Sequence, residues 1–300
     1  MPFIVGVGRS GTTLLRLMLD AHPEMAIPPE THFVPAMLEA FERPRVSPEL
    51  VIEAMVSYPR SGWPDSGVSE GEMLERLRAL RPLNSTDAVR AFYRAYAERH
   101  GKSRFGDKTP RYVTRLNRIG RGLPEAHFIH VIRDGRDVAL SMNRRLVELR
   151  GSQPVPVRRL ARRWQRRVLN ARANEFVADR YAEVRYEDLV TDTEATLRRV
   201  CGLIGLDFDP VMLSYHEHAA ERLEEMNRTR ERVGRQTLSG AERMKAHALT
   251  SAPPSSERIA VWKNEMSAAD KHDFEVAAGG LLTELGYETE GLAATDGVAS

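Results

Sequence analysis

The apolar residues of the chain follow two alternating patterns. Short, nearly continuous apolar runs bounded by glycine, proline or charged residues predict buried strands. Longer stretches in which apolar residues recur every three or four positions predict helices that bury one face. The predicted strands cover 3–7, a strand end near 104, 127–132 and 181–186, and the main predicted helices cover 14–19, 33–41, 48–58, 73–80, 88–100, 157–173, 193–206, 210–218, 258–262 and 268–285.

Strands that alternate with helices favour an α/β fold. We expect a P-loop-like, mainly parallel central sheet with helices on both faces. A chain of 300 residues fits one large domain or two small ones. We predict a single domain over 1–290 and a frayed tail at 291–300. The segment 223–256 is charged and then rich in Ser and Pro, which predicts a long mobile segment, for which a lid is one interpretation.

The first predicted strand leads through a Gly-rich turn into an apolar helix, the arrangement of a phosphate cradle. Glycines let the backbone approach an anion closely, and the first amides of the helix point at it. The turn also supplies a positive charge and three hydroxyl donors around its glycine: Arg9, Ser10, Gly11, Thr12 and Thr13.

The spacing of this turn nearly matches the Walker A loop of P-loop NTPases and kinases. Gly6 and Gly11 stand at the expected positions, but Thr12 replaces the Lys that bridges the outer phosphates in that loop. The turn therefore favours a 5′-phosphate or a phosphosulfate over a triphosphate. An ordinary glycine turn of an α/β protein is the simpler alternative.

A second basic corner follows the strand 127–132. Arg133 stands at the strand end, and Ser141 and Arg145 lie one helical turn apart, so their side chains can converge on one anion. In open α/β sheets, ligands bind at the carboxyl ends of parallel strands, where both corners should lie. One anion at each corner suggests a nucleotide phosphorylated at both ends.

Composition and hydropathy limit the binding partners and the cellular location that we expect for the protein. The formal net charge of +2 gives no reason to expect nucleic acid as a partner. Cys201 is the only cysteine, which excludes a disulfide framework and a Cys-based metal site. No apolar run approaches the length of a membrane span and no signal peptide is evident, so we expect a cytoplasmic protein. The oligomeric state is left open, with a homodimer as one option.

At this point the motifs resemble those of a family. The segment from Gly6 to Leu15 resembles the 5′-phosphosulfate loop of sulfotransferases that use 3′-phosphoadenosine-5′-phosphosulfate (PAPS), and 131–142 resembles their 3′-phosphate motif. The segments 9–23, 30–31 and 185–190 are similar to tyrosylprotein sulfotransferases, and bacterial sulfotransferases share these motifs. Either motif alone has little specificity, whereas the two together are specific.

The resemblance implies how the donor would be held. Arg9 would contact the sulfuryl group and the bridging oxygen, and Tyr186 would line the adenine pocket. The 5′-phosphate would be held by Ser10, Gly11, Thr12 and Thr13, and the 3′-phosphate by Arg133, Ser141 and Arg145. The product would be 3′,5′-adenosine bisphosphate (PAP), and no metal is expected.

The resemblance also implies the catalytic groups. Glu30 matches the position of the family's proposed base, and Lys108 resembles a Lys that reaches the sulfuryl oxygens. A carboxylate with an ordinary pKa of about 4.3 is deprotonated near neutrality and can accept the proton of a hydroxyl. The implied reaction moves a sulfuryl group in line to a hydroxyl of a small molecule, lipid, glycan or tyrosine. The helical segment 34–100 would then lie near the acceptor pocket.

Simpler roles remain for several of these residues. Glu30 could cap a helix through Thr31 or lie on the surface, with His32 as the next candidate base. Lys108 could be an exposed turn residue and Asp107 could pair with a neighbouring Arg. Asp134 and Asp137 are expected to cap the helix after the strand 127–132. The Arg-rich helix 157–173 is interpreted as a solvated face, with a polyanion site as the alternative.

Two other functions compete with sulfuryl transfer. A P-loop kinase would use the same turn, although the missing Walker Lys argues against it. A nucleotide-binding protein without catalysis would bind the nucleotide and transfer nothing.

Overall fold

The computed structural model describes residues 1–40, 47–227, 230–232, 235–245 and 248–290. Eight strands lie within this part of the chain. They are β1 (Pro2–Gly6), β2 (Met25–Ala26), β3 (Arg104–Phe105), β4 (Asp107–Lys108), β5 (His127–Ile132), β6 (Tyr181–Arg185), β7 (Arg230–Arg232) and β8 (Arg235–Leu238).

The central sheet has the strand order β4-β1-β5-β6, and every pair in it is parallel. Ile4 pairs with Ile129 in β5 and with Lys108 in β4, and Ile129 pairs with Ala182 in β6. Because all four strands run the same way, the turns that follow β1 and β5 leave the sheet at the same edge. β2 and β3 form a separate parallel pair, and β7 and β8 form an antiparallel hairpin.

Fifteen helices accompany these strands in the described residues. They are α1 (Thr12–Ala21), α2 (Val34–Ala40), α3 (Pro48–Ser57), α4 (Trp63–Ser66), α5 (Glu70–Ala79), α6 (Ser85–Arg99), α7 (Leu116–Gly122), α8 (Gly135–Arg150), α9 (Val157–Arg172), α10 (Tyr186–Thr191), α11 (Thr193–Ile204), α12 (His216–Glu224), α13 (Gly240–Lys245), α14 (Trp262–Glu265) and α15 (Ala268–Glu284). Short 3-10 turns lie at Pro110–Thr114, Glu175–Arg180, Pro210–Ser214, Ala248–Ser251 and Ser256–Arg258.

Both faces of the sheet are covered. Successive side chains of a strand point to opposite faces, so Ile4 packs with α1, α11 and α12 while Phe3 packs with α7 and the helices of the segment 34–100. Beyond the strand ends, α8, α9 and α15 form a third cluster in which the rings of Trp164 and Phe274 lie 5.9 Å apart. The predicted α/β class with a parallel sheet and helices on both faces is confirmed.

The Arg-rich helix α9 is amphipathic. Its apolar positions Leu160, Trp164 and Val168 are buried, while Arg158 and Arg162 are exposed. The interpretation as a solvated face is therefore confirmed for the packing of the helix. The Trp164 indole donates a hydrogen bond to the carbonyl of Arg133, with an N–O distance of 3.2 Å, so α9 also supports the second basic corner.

Several boundaries differ from the sequence prediction. The segment 59–70 is rich in Gly, Pro and Ser, which predicts a loop, but it contains α4, because Pro64 fits the first turn of a helix and Trp63 packs 5.3 Å from Phe92. The helix predicted at 258–262 is interrupted, because Ala260 adopts a φ of 55°, in the left-handed region.

Part of the segment 223–256 has a defined structure. It contains the end of α12, β7, β8 and α13, and Arg243 makes a bidentate contact with the buried carboxylate of Asp65 in α4. Residues 228–229, 233–234 and 246–247 of this segment, and the predicted tail 291–300, lie outside the described residues. Its mobility stays a prediction.

A buried charge network provides a test of stability. Arg136 is fully buried, donates to Asp134 and Glu275 at 2.8 and 2.9 Å, and lies 3.4 Å from the Trp262 ring centre. Arg136→Met should lower the free energy of unfolding by roughly 3–5 kcal/mol, because two buried carboxylates lose their cation. The measurement is urea denaturation followed by circular dichroism.

The matched control is Arg198→Met. Arg198 pairs with Glu194 at 2.7 Å, but both side chains are more than half exposed. Its loss should cost less than about 1 kcal/mol. Equal effects of the two substitutions would contradict a structural role for the buried network.

Candidate active site

A cavity of about 560 Å³ opens at the carboxyl ends of β1 and β5. This volume lies within the range of small-molecule sites. Nine of the eleven residues predicted for the site line it, namely Arg9, Gly11, Thr12, Thr13, Glu30, Arg133, Ser141, Arg145 and Tyr186. Of the other two, Ser10 is buried within the same turn, and Lys108 contacts Glu30.

The turn between β1 and α1 has the geometry of an anion cradle. Gly11 precedes α1 with a φ of 95°, and no side chain of the described residues caps the helix there. A Cβ on Gly11 would lie 2.4 Å from Cδ2 of Tyr186, so only glycine fits between the turn and this ring. The Ser10 hydroxyl is fully buried and has no hydrogen-bond partner in the described part of the chain. The first amides of α1 and this hydroxyl suit an anionic ligand.

Five arginines from three parts of the chain line the cavity, namely Arg9, Arg133, Arg144, Arg145 and Arg258. Burial, followed by repulsion from Arg145, Arg133 and Arg258, lowers the pKa of Arg9 to about 10. Cations held this close favour an anion among them, because a bound anion would offset their repulsion. The arginines therefore concentrate positive charge at this cavity, although four carboxylates also line it, those of Glu30, Asp137, Glu148 and Glu257.

The two basic corners contact each other directly. The Arg9 guanidinium donates through Nε to Oγ of Ser141 at 3.0 Å, and Arg133 donates through Nη1 to the Arg9 carbonyl at 3.3 Å. Arg133 also lies 4.6 Å from the Tyr186 ring centre and 3.4 Å from the Asp137 carboxylate. Its Nε is buried and lacks a hydrogen-bond partner among the described residues, while the residue itself lines the cavity.

Glu30 and Lys108 form an ion pair at the inner end of the site, in which the Lys108 side chain is buried and the Glu30 side chain is 33% exposed. Lys108 Nζ lies 3.0 Å from Glu30 Oε1 and 3.4 Å from Oγ1 of Thr13, and His32 Nε2 lies 3.1 Å from Glu30 Oε2. Burial alone would raise the pKa of Glu30, but Lys108 and His32 hold it well below its usual value. Burial lowers the pKa of Lys108, and Glu30 opposes that change.

These contacts overturn three simpler interpretations. Lys108 is 1% exposed, because it lies in β4 beside Ile4, and is not a surface turn residue. Glu30 does not cap a helix, since its carboxylate faces Lys108 and His32 and α2 begins only at Val34. Asp107 accepts hydrogen bonds from two hydroxyl groups instead of pairing with an Arg.

The two aspartates after β5 have different roles. Asp134 caps α8 by accepting a hydrogen bond from the Arg136 amide at 2.9 Å, as predicted. Asp137 does not cap the helix, because its carboxylate accepts from the amides of Ala260 and Trp262 at 3.0 and 2.9 Å. It therefore anchors a later part of the chain beside the site.

That later part, residues 250–261, forms one wall of the cavity and is called the cover segment here. Arg133 Nη2 donates to the carbonyl of Arg258, and Tyr215 donates to the carbonyl of Ala252 at 2.6 Å. Arg258 is a site residue that the sequence does not predict. The one indication in the sequence is that Arg258 lies just after the segment 223–256, for which a lid is one interpretation. The Ser- and Pro-rich stretch of that segment has no periodicity that would show which residues face the site.

The segment 34–100 reaches the site through backbone contacts. The Gly62 amide donates to the carbonyl of Thr31 at 3.0 Å, and a Cβ on Gly62 would lie 2.2 Å from the carbonyl oxygen of Glu30. The start of α4 is therefore in contact with the backbone that carries Glu30.

The comparisons with known proteins agree with this geometry. A sequence model described as "Sulfotransferase family" matches residues 3–210, and the chain belongs to that family. It is 27% identical over 289 residues to protein-tyrosine sulfotransferase 1 of Danio rerio, which covers 95% of this chain and 72% of that protein. It is 29% identical over 225 residues to protein-tyrosine sulfotransferase 2 of Gallus gallus, which covers 72% of this chain and 53% of that protein.

Solved structures share the fold. The sulfotransferase domain of the Synechococcus PCC 7002 olefin synthase matches with a TM-score of 0.61 and 24% identity, over 96% of this chain and 94% of that domain. Mouse sulfotransferase SULT7A1, complexed with PAP, matches with a TM-score of 0.51 and 13% identity, over 92% of this chain and 82% of that chain. The family match to sulfotransferases, together with Thr12 at the Walker Lys position, disfavours a kinase.

The described residues offer neither a metal site of clustered side chains nor a helix suited to a membrane. No group of three or more His, Cys, Asp or Glu side chains in this part of the chain is placed to hold a metal ion. Within the same residues, no helix combines the length and apolar character needed to cross a membrane.

Proposed function

We propose that the protein transfers a sulfuryl group from PAPS to a hydroxyl group. The observation that carries this proposal is the meeting of two basic strand-to-helix corners in one cavity, in a chain of the sulfotransferase family. A nucleotide with phosphates at both ends of its ribose offers an anion to each corner. Supporting evidence comes from a neighbour of the same fold that is complexed with PAP.

The donor would lie across the two corners. The first turn of α1 and the Ser10 hydroxyl would hold the 5′-phosphate, and the guanidinium of Arg133, which lines the cavity, would hold the 3′-phosphate. Tyr186, which lies between Gly11 and Arg133, would line the adenine. The remaining ligands would be Gly11, Thr12 and Thr13 at the 5′-phosphate and Ser141, Arg145 and Arg258 at the 3′-phosphate.

The chemistry follows from where charge develops. In an in-line transfer, negative charge builds on the bridging and sulfuryl oxygens, and fixed cations there lower the barrier. Arg9 lines the cavity, and Lys108 contacts Thr13 and Glu30, which line it, so both can serve this role. Glu30 is held as a carboxylate and would accept the proton of the acceptor hydroxyl as the new S–O bond forms.

Lys108 would link charge stabilisation at the sulfuryl oxygens to proton acceptance by Glu30. In the structure, its ammonium contacts Glu30 and makes the largest single contribution, ahead of His32, to lowering the pKa of that carboxyl. When the ammonium turns toward a sulfuryl oxygen, Glu30 loses part of this attraction and becomes a stronger base. The base would thus strengthen as the donor is engaged. The acceptor is proposed only as a hydroxyl of a small molecule, lipid, glycan or tyrosine.

A binding and transfer experiment tests the proposal. Calorimetry with PAP should show one site per chain, and a labelled PAPS assay with a panel of hydroxyl acceptors should show transfer in the presence of a metal chelator. Binding without transfer to any acceptor would favour a non-catalytic nucleotide-binding protein. Turnover of ATP that requires Mg²⁺ would favour the kinase.

The two corner arginines should separate binding from turnover. Arg133→Ala should weaken PAP binding about 10- to 100-fold, because a charge-assisted contact is lost. Arg9→Ala should lower kcat about 100-fold or more, since it removes charge stabilisation at the reacting group. Calorimetry and steady-state kinetics provide the readouts, with the exposed Arg198→Ala as the unchanged control. Unaltered PAP affinity in Arg133→Ala would refute the assignment of the second corner.

The proposed base has a matched control in the same cavity. Glu30→Gln should reduce kcat by roughly 10²–10⁴-fold with PAP affinity nearly unchanged, because the acceptor proton loses its base. Glu148 also lines the cavity, from α8, so Glu148→Gln tests whether any nearby carboxylate matters. A Glu30→Gln enzyme as active as the Glu148→Gln enzyme would show that the base lies elsewhere.

The pH dependence should report the Glu30–Lys108 pair. A carboxylate with a depressed pKa stays an active base until the pH falls through that low pKa. Lys108→Met removes the main cause that lowers this pKa, so burial should raise it and move the acidic limb of kcat/KM to higher pH. The rate at the optimum should also fall about 100-fold. An acidic limb that does not move would contradict the coupling of the two side chains.

A further inference from the structure

A second pair of residues links the segments that carry Glu30 and Lys108. Thr31 follows Glu30 and Asp107 precedes Lys108, and the Thr31 hydroxyl donates to Asp107 Oδ2 at 2.7 Å. In the strand β4, neighbouring side chains point to opposite sides. The Glu30–Lys108 contact and the Thr31–Asp107 contact are therefore two cross-links between the same segments, and only the first reaches the cavity.

The buried carboxylate of Asp107 carries a desolvation cost that a purely structural position does not require. It is fully buried, it receives a second hydrogen bond from the Tyr93 hydroxyl at 2.7 Å on the same Oδ2, and its Oδ1 has no partner in the described part of the chain. Burial raises the pKa of this carboxyl against its hydrogen bonds. Apolar residues often fill such positions at no loss of stability, so a partly satisfied carboxylate calls for a functional explanation.

Thr31 is fixed from several directions. Its hydroxyl lies 2.9 Å from the Tyr112 hydroxyl, and its amide donates to Oγ1 of Thr109 at 3.1 Å. The next residue, His32, has a φ of 64°, which is uncommon for a residue other than glycine. This turn places the His32 ring against Glu30 Oε2. The hydrogen bonds of Thr31 thus hold a strained turn, and this turn keeps the His32 ring against the Glu30 carboxylate.

We infer that Asp107 is a positioning residue. It acts through Thr31 to hold the side chains of Glu30 and Lys108 at fixed positions relative to each other and to the turn between β1 and α1. The inference rests on the proposed function for the roles of that pair. Asp107 itself does not line the cavity. A displacement of about 1 Å at a catalytic group is enough to cost about 100-fold in rate.

The test compares two substitutions of one residue. Thr31→Val keeps the shape and removes the hydroxyl, whereas Thr31→Ser keeps the hydroxyl. We expect Thr31→Val to lower kcat about 10- to 100-fold with PAP affinity within about twofold of the unaltered protein. We expect Thr31→Ser to retain near-normal kcat, because the bond to Asp107 survives. Equal kcat in the two variants, or a parallel loss of PAP binding in Thr31→Val, would overturn the inference.

A chemical readout makes the test independent of turnover. The chain has five lysines, and Lys108 is 1% exposed while Lys263 is 47% exposed. Amine acylation followed by peptide mass spectrometry should label Lys108 several-fold faster in Thr31→Val than in Thr31→Ser, with Lys263 as the internal reference. Unchanged labelling of Lys108 would overturn the inference. Should Thr31→Val fail to fold, Asp107→Asn is measured in the same way, with the same expectation of faster Lys108 labelling.

The two proposals can fail separately. A protein that transfers no sulfuryl group but shows faster Lys108 labelling in Thr31→Val would refute the proposed function and keep the positioning role. A protein that transfers the group equally well in both Thr31 variants would keep the function and refute the positioning role.

Discussion

The parallel pairing of β1 with β5 is the constraint on which the site depends. The register places Gly6 beside Val131, so the turn after each strand begins at the same level of the sheet. From there, Arg9 and Arg133 come into contact although 124 positions separate them. An antiparallel pairing would send the two turns to opposite edges of the sheet, and no rearrangement of side chains could then bring the arginines together.

Gathering arginines at one edge creates a repulsion that the rest of the molecule has to offset. Asp137 lies against Arg133, and Glu30 opposes the loss of positive charge at Arg9. Asp137 also accepts the amides of Ala260 and Trp262, so the carboxylate that neutralises part of the charge holds the cover segment as well. Charge balance and the closure of the cavity wall are therefore parts of one arrangement.

The sequence predicts the local parts of this arrangement well. The cradle is a strand, a turn and a helix within about fifteen consecutive residues, and each part has its own pattern of apolar and glycine positions. The second corner is equally local, since Ser141 and Arg145 share one helical face. The assignment of these residues to one cavity required only that the two strands be parallel neighbours.

The remaining parts depend on contacts that leave no local pattern. Glu30 and Lys108 are 78 positions apart, and β4 is only two residues long, too short to show the alternation of a strand. For that reason a buried lysine resembled an exposed turn. The cover segment, at 250–261, is held by amides and carbonyls of its own backbone, and the sequence gives no information about which amide reaches Asp137.

The position of Gly62 restricts how the sequence of the neighbouring helices can change in evolution. This residue immediately precedes α4 and lies against the carbonyl of Glu30 with no room for a side chain. An inherited change in the helices between 47 and 99 that shifts α4 would also shift the backbone of Glu30. Substitutions in this region are therefore restricted, even where they leave the hydrophobic packing intact, because they must not displace the carboxylate that we propose as the base.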